Sequence, residues 1–509
     1  MLKLTPRFAG QVPSDLPESL KPLAHDAPTL ARLYAGRGIT AIDDMDTKLA
    51  NLLPADGLLG LDAAATILDE AIDQGKRILI VGDFDCDGAT STALMIRVLR
   101  EMGADAEFIV PDRFKYGYGL TPEIVDLGIE TYHPDVIVTV DNGISSHDGV
   151  ARAKDAGITV VITDHHLTTK STPPADAVVN PNQLGCGFDS KSLVGVGVAF
   201  YLLGRLAKMR RSAGKSSAAV SQHLDLVALG TIADVGVLDR NNRTLVYHGI
   251  QAIRQGRCCL GILALLEQAG RDYKKLTAQD FGFVLGPRIN AAGRMDNMRI
   301  GIECLLTDDL GEAQRLAYEL DGLNRERRTV EGKMREQADD ILAQLQAFAD
   351  SKPSQDNDDS LDNSTNTNIE ASANTKDDED NNANDNEALI DIGSEAKPKV
   401  TPLAEGARSI ILYQDDWHQG VIGIVAGRLK ESHYRPAIVF APANTDNTGD
   451  NDAIKGSARS IPGIHIRDAI ELVAERHPEL ITHFGGHAMA AGLTLKRANF
   501  EHFVEAFEA

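Results

Sequence analysis

The sequence predicts an α/β protein: a mainly parallel, doubly wound sheet, joined by a long helix to a smaller α/β domain. Three observations carry that expectation. Short β-branched apolar runs recur between residues 77 and 179, with helical patterns separating most of them. Four of these runs end in an acid: RILIVGD at Asp83, AEFIVPD at Asp112, DVIVTVD at Asp141 and TVVITD at Asp164. A stretch rich in Asn, Asp, Ser and Thr then divides them from a second set of strands. Parallel strands share one carboxyl edge, so the strand-end acids are expected to converge in a single crevice.

In chain order, residues 1–60 read as a small helical lead-in with turn residues at 54–57. A first domain is expected over 61–305. Its opening strand lies in KRILIVGDFDCDGATS, residues 76–91. Four apolar residues, Ile78 to Val81, precede Asp83, Asp85 and Asp87 at alternate positions. Leu94, Val98 and Met102 follow at helical spacing. Three carboxylates so close together repel one another and disfavour a compact fold unless a cation neutralises them. The alternative, a solvated acidic loop, rarely follows a buried apolar run directly. A fifth strand, ADAVVNPN, runs through Val179, and residues 192–270 read as mostly helical.

The fourth strand leads into Asp164, His165 and His166. Two histidines beside several carboxylates make a mixed N/O ligand set that suits Mn²⁺ or Mg²⁺ better than a closed zinc site. The acids suffice for two ions, and paired ions can activate a water and stabilise both oxygens of an in-line phosphoryl displacement.

Further along, GPRINAAGRMDN at 286–297 reads as a turn-rich run. A long, partly exposed helix is expected over 306–349, with Val330, Met334, Ile341, Leu345 and Phe348 as its later apolar positions. Residues 350–402 cannot bury enough apolar surface to offset ordering and read as a disordered acidic insertion, with 444–452 a smaller loop of the same kind. The second α/β domain, 403–509, takes its strands from SIILYQ, PAIVFAP, IKGSARS and MAAGLTL, and helices near 419–432 and 466–476. Its last pattern, NFEHFVEAFEA, is an amphipathic helix without a glycine cap.

Composition limits the alternatives. The hydrophobic fraction of 43% and charged fraction of 25% are ordinary for a globular protein. No apolar run approaches the ~20 residues that span a bilayer, and no signal-peptide pattern is present, so no membrane is expected and the cytoplasm is the default location. The five cysteines follow neither paired nor zinc-ligand spacing and read as reduced. The net charge of −23 includes a local −10 from fourteen acids and four lysines over 350–400, leaving −13 elsewhere. Bulk charge therefore does not support a polyanion partner, and any such case rests on local basic residues.

The motifs DFDCDG, VTVDNG, TDHH and GTIADVG resemble the successive motifs of the DHH phosphoesterase superfamily, and GGHAMAAG at 485–492 resembles the signature of its associated DHHA1 domain. Within that superfamily the chain most resembles the RecJ family of single-strand-specific 5′→3′ DNA exonucleases. PDRFKYGYGLT, VNPNQ, GPRINAAGRMDN, WHQGVIGIVAGRLKE and GSARS carry that likeness, which runs from about residue 30 to 509 apart from the two acidic insertions.

The resemblance implies a DHH domain followed by a DHHA1 domain. It also implies two divalent ions, Mn²⁺ or Mg²⁺, on Asp85, Asp87, Asp141, His165 and Asp234. His166 is implied to contact the scissile phosphate or leaving group, with Asp83 in support and Asn142 orienting Asp141 through a hydrogen bond. Ser457, Arg459 and His487 match a phosphate-binding cluster for a DNA 5′ end. Arg113, Arg288 and Arg294 would add guanidinium contacts, with a surface salt bridge as the alternative for each.

The implied activity is two-metal hydrolysis of single-stranded DNA from its 5′ end to 5′-mononucleotides, in DNA repair and recombination. The implied protein is a monomer working beside single-strand-binding protein and a repair helicase. Two other readings stay open: a DHH phosphoesterase acting on short oligonucleotides or cyclic dinucleotides, and a non-catalytic DHH-fold replication scaffold. Such scaffolds have lost their ligands, whereas every expected acid and histidine stands here. Members of this family usually continue into an OB-fold, and this sequence ends where that module is expected to begin.

Overall fold

The computed structural model describes residues 16–112, 115–167, 171–350, 408–443 and 452–509. Arg113 lies outside the described residues, as do nearly all of the expected insertion at 350–402 and the loop at 444–452. The chain divides into two units, Met1–Val330 with Asn444–Gly449, and Glu331–Ala443 with Asp450–Ala509.

In the first unit, strands β1 (Arg77–Gly82), β2 (Asp105–Ile109), β3 (Val136–Val140), β4 (Thr159–Thr163) and β5 (Ala177–Val179) form one parallel sheet in the order β2-β1-β3-β4-β5. Helices α1 (Leu61–Asp73), α2 (Cys86–Glu101), α3 (Pro122–Tyr132), α4 (His147–Asp155), α5 (Gly195–Ser212) and α6 (Leu224–Ala233) accompany it. Alternate strand residues feed two cores. Ile78, Ile80, Val138 and Val161 pack with Leu94, Leu202 and Leu229. Leu79, Val81, Ile137 and Val160 pack with Ile124, Val125 and Val150. Burial on both faces is why these strands read as continuous apolar runs instead of alternating ones.

GPRINAAGRM, expected as turn-rich, is instead a helix, α7 (Gly286–Met295). Pro287 occupies its first turn, where a missing N–H leaves nothing unsatisfied, so the proline that argued for a turn starts a helix. A five-residue π-helical turn, Phe281–Leu285, precedes it. The long helix, α8, spans Leu310–Asp350. It buries Ala313, Leu316, Ala317 and Leu320 in its first half, then Met334, Ala338 and Ile341, while Val330 is half-buried.

The second unit holds a mixed sheet in the order β6-β7-β8-β10-β9: β6 (Ile410–Tyr413), β7 (Ala437–Pro442), β8 (Ala453–Arg459), β9 (Ile481–Gly486) and β10 (Ala490–Lys496). Only β6 and β7 pair parallel; the remaining pairs are antiparallel. Helices α9 (Ile422–His433), α10 (Ile466–Arg476) and α11 (Phe500–Glu508) complete it. β9 has no counterpart in the sequence reading, because ITHFGG is largely exposed and lacks the apolar alternation that marks a strand. Among the described residues, no helix is long and apolar enough to cross a membrane.

The core of this unit is aromatic. Phe503 is fully buried, its ring 5.6 Å from that of Phe440 and 5.8 Å from that of Phe507. Phe503→Ala should destabilise the second unit by about 3–5 kcal/mol, the range for truncating a buried aromatic. Trp417, the only tryptophan, is buried in the same unit and reports its unfolding by fluorescence. A lowered denaturant midpoint for that signal is expected; an unchanged midpoint would contradict this packing.

Candidate metal centre

The strand order reverses direction between β1 and β3, and the carboxyl ends of those strands flank the crevice in which open sheets take ligands. Asp83 follows β1, Asp141 follows β3 and Asp164 follows β4, while Asp85 is the N-cap of α2 and Asp234 follows α6. The ligand atoms of Asp83, Asp85 and Asp141 lie within 4.8 Å of one another, and so do those of Asp87, His165 and Asp234. These two triads share no residue, and a third group within the same limit, Asp141, His165 and His166, takes one residue from each. They meet where His165 Nε2 lies 3.1 Å from Asp141 Oδ1. Both atoms are buried without a hydrogen-bond partner, so an oxygen and a nitrogen lone pair face a common space. That donor set fits a hard divalent cation.

Burial and mutual repulsion set the charges. Burial, then the charges of Asp87, Asp85 and Asp83, pushes the Asp141 carboxyl well above the usual range. Burial and the Asp85 charge raise Asp87 to about 7, against amide donors that pull it down. Burial and Asp87 likewise raise Asp234 to about 7. The amide donors on Asp87 are Gly195 N–H at 2.7 Å and Val196 N–H at 2.9 Å, the first residues of α5. A helix N-terminus thus supports this carboxylate. Gly195 is required by a close approach: a Cβ there would fall 2.6 Å from Asp141 Oδ1. Asp141 itself has φ +62°, a left-handed conformation that aspartate tolerates better than most residues.

His165 and His166 differ sharply. Burial and the neighbouring His166 charge push His165 down, leaving its Nε2 a neutral ligand nitrogen. Burial would also lower His166, but Asp164 accepts a hydrogen bond from its Nδ1 at 2.7 Å and holds the imidazole at about 9. Burial alone would raise Asp164. The His166 bond and the backbone N–H groups of His166 and Ile144 outweigh that and keep it ionised. Asn180 Nδ2 and Asn182 Nδ2 donate to the His166 and His165 carbonyls at 3.0 and 2.6 Å, which gives VNPNQ its task. The half-exposed Tyr118 of YGYGLT brings its hydroxyl 3.4 Å from His166 Nδ1 and from the Asp141 carbonyl. Both stretches stand out in the sequence, but only the fold gives Asn180, Asn182 and Tyr118 these contacts.

The remaining predicted residues scatter. Asn142 Nδ2 donates to the Val81 and Val140 carbonyls, so its amide group ties β1 to β3 and no bond to the Asp141 carboxylate is seen. Arg288 makes the ion-pair alternative: Nε and Nη2 each lie 2.9 Å from Asp321 Oδ1, and Nη1 donates to the Val284 carbonyl. Its side chain is 13% exposed and paired with Asp321 in this structure. Arg294 is half-buried on α7. In the second unit Arg459 Nη1 donates to Ser457 Oγ at 3.1 Å, both on one face of β8. His487 is exposed in the turn from β9 to β10.

Comparison with known proteins adds an independent line. Residues 77–231 match the DHH family, N-terminal domain, and residues 406–509 match the DHHA1 domain. The single-stranded-DNA-specific exonuclease RecJ of Salmonella typhimurium is 43% identical over 505 residues, 98% of this chain and 75% of that one. The crystal structure of Thermus thermophilus RecJ in complex with Mn²⁺ superposes with a TM-score of 0.70 at 31% identity. It covers 96% of this chain, and the chain spans 60% of that one. The same protein in complex with Mg²⁺ gives 0.65 at 30% identity, over 96% of this chain and 58% of that one.

Asp87, Asp141 and Asp234 all titrate above their ordinary 3.8 in the folded chain. Without metal, the folded state binds more protons than the unfolded state between about 4 and about 7, so its stability falls as pH rises through that window. A divalent cation displaces those protons and removes the penalty. Thermal melts with chelator should therefore drop from pH 5 to pH 7, and Mn²⁺ should raise the melting temperature more at pH 7 than at pH 5. A metal shift that is equal at both values, or larger at pH 5, would contradict this charge assignment.

Proposed function

The chain belongs to the RecJ family of DHH phosphoesterases, and from that premise we propose that it is a single-stranded-DNA-specific exonuclease working from the 5′ end and releasing 5′-mononucleotides. The observation that carries the reading is the pair of disjoint ligand triads joined at Asp141 and His165, beside a histidine held by Asp164. Asp85, Asp87, Asp141, His165 and Asp234 would hold two ions, with Asp83 completing the first triad. Mn²⁺ or Mg²⁺ bound there would supply a nucleophilic water at neutral pH and positive charge opposite the phosphoryl oxygens.

The chain's own residues do the rest. A water oxygen bonds to phosphorus as the bond to the 3′-oxygen of the terminal nucleotide breaks. His166, whose Nδ1 is engaged by Asp164 and whose Nε2 has the Tyr118 hydroxyl at 3.5 Å, would give the Nε2 proton to the leaving 3′-oxygen. Asp164 and the α5 amides are fixed before substrate arrives, so no reorganisation accompanies the reaction. Each cut leaves a 5′ phosphate on the shortened strand. Ser457 and Arg459, with His487 in the turn that leads to Ala490, the strand partner of Arg459, are proposed to take that phosphate, since a guanidinium beside a hydroxyl suits a phosphate dianion. In this reading the enzyme acts in the cytoplasm in repair and recombination, on strands opened by a helicase and covered by single-strand-binding protein.

Digestion of end-labelled single and double strands with Mn²⁺ or Mg²⁺ tests the proposal. A 5′ label should leave single strands at once as a mononucleotide, and duplexes should resist. Early release of a 3′ label, or equal attack on duplexes, would overturn it. Asp141→Ala should remove nearly all turnover with the fold retained. Arg459→Ala should weaken capture of 5′-phosphorylated strands by about 1.5–3 kcal/mol, the scale of a charged hydrogen bond. Its preference for 5′ phosphate over 5′ hydroxyl should shrink accordingly; an unchanged preference would move end recognition elsewhere.

A further inference from the structure

α7 and the loop carrying Asp83, Asp85 and Asp87 meet in a contact to which no motif assigns a task. We infer that Asn290 is the positioning residue that holds this loop in its metal-binding shape, an inference that rests on the metal reading above.

The N-terminal amides of α2 show why. A helix leaves its first N–H groups without partners inside the helix. Asp85 Oδ1 accepts from Asp87 N–H at 2.9 Å and Gly88 N–H at 3.1 Å, and the Asp85 carbonyl accepts from Ala89 N–H at 2.8 Å. The N–H of the first helical residue, Cys86, lies in sequence between two of the acids. It donates to Asn290 Oδ1 at 2.7 Å, across 204 residues of chain. Cys86 is 1% exposed, so without Asn290 this donor would be buried and unsatisfied.

A second contact reinforces the first. Gly293 lies one turn after Asn290 on α7, and a Cβ there would overlap the Phe84 carbonyl oxygen. Phe84 and Cys86 are the two neighbours of Asp85, so α7 fixes the backbone on both sides of that carboxylate. Asp85 Oδ1 caps the helix, and the Asp85 carboxylate also lies within 4.8 Å of the ligand atoms of Asp83 and Asp141. The buried Ile289 and Ala292 anchor α7 independently of this bond.

The test is calorimetric titration of the chelator-treated full chain with Mn²⁺, alongside the melting temperature of the metal-free protein. Asn290→Ala should bind Mn²⁺ roughly ten- to a hundredfold more weakly, the usual loss when a group orienting a ligand is removed. Its metal-free melting temperature should fall by about a few degrees, the cost of one buried amide left unsatisfied. Asn290→Asp, which keeps the acceptor oxygen, should retain Mn²⁺ affinity, and this expectation holds even if the alanine variant fails to fold. Mn²⁺ binding by Asn290→Ala equal to the unsubstituted protein would overturn the assignment, as would a loss in Asn290→Asp matching that in Asn290→Ala. Absence of Mn²⁺ binding by the unsubstituted protein would instead overturn the metal reading beneath it.

Discussion

Repulsion among buried carboxylates is the constraint on which the first unit depends. Asp83, Asp87, Asp141 and Asp164 are each at most 6% exposed, and Asp85 and Asp234 stand beside them. Two unit charges 4 Å apart interact by about 4 kcal/mol at an effective dielectric of 20. Such a cluster survives folding only if each acid is given partners. The partners differ by position. Asp164 is satisfied within the protein by His166 and three backbone N–H groups, and stays ionised. Asp87 receives two amides from α5 and remains near 7. Asp141 Oδ1 receives no hydrogen bond, and burial with the neighbouring acids pushes its carboxyl well above the usual range. The gradient from satisfied to unsatisfied runs toward the point where the two triads meet.

The sheet explains why the acids can be gathered there at all. The order β2-β1-β3-β4-β5 sends helices away in opposite directions from β1 and β3 and leaves a crevice at their carboxyl ends. Asp83 and Asp141 are the first residues past those two strands. Their local backbone is irregular where function demands it: Asp141 at φ +62° and Val235, beside Asp234, at φ +58°. For valine, a β-branched residue, that conformation is a genuine departure, and such departures persist where surrounding structure over-determines them.

Much of this was legible in the sequence, because it is written in local patterns. Apolar runs ending in Asp83, Asp141 and Asp164 announced parallel strands with a shared acidic edge, and Asp164-His165-His166 named its own chemistry. What stayed illegible depends on contacts between distant segments. Nothing in SLVGVGVAF says that the amides of Gly195 and Val196 reach back to Asp87. Glycine, proline and asparagine in GPRINAAGRM resemble a turn, and only the tertiary contact with Phe84 and Cys86 explains why a helix carries them. Arg288 likewise looked available for phosphate, yet Asp321, thirty-three residues on, holds its guanidinium. Asn142 was expected beside the Asp141 carboxylate and instead bridges two strands.

The two triads read as paired cation sites and not as a single acidic pocket. Anomalous diffraction from crystals grown with Mn²⁺ tests this most directly. Two peaks about 3.5–4 Å apart are expected, one against Asp83, Asp85 and Asp141, the other against Asp87, His165 and Asp234. A single peak, or manganese seated away from these residues, would contradict it.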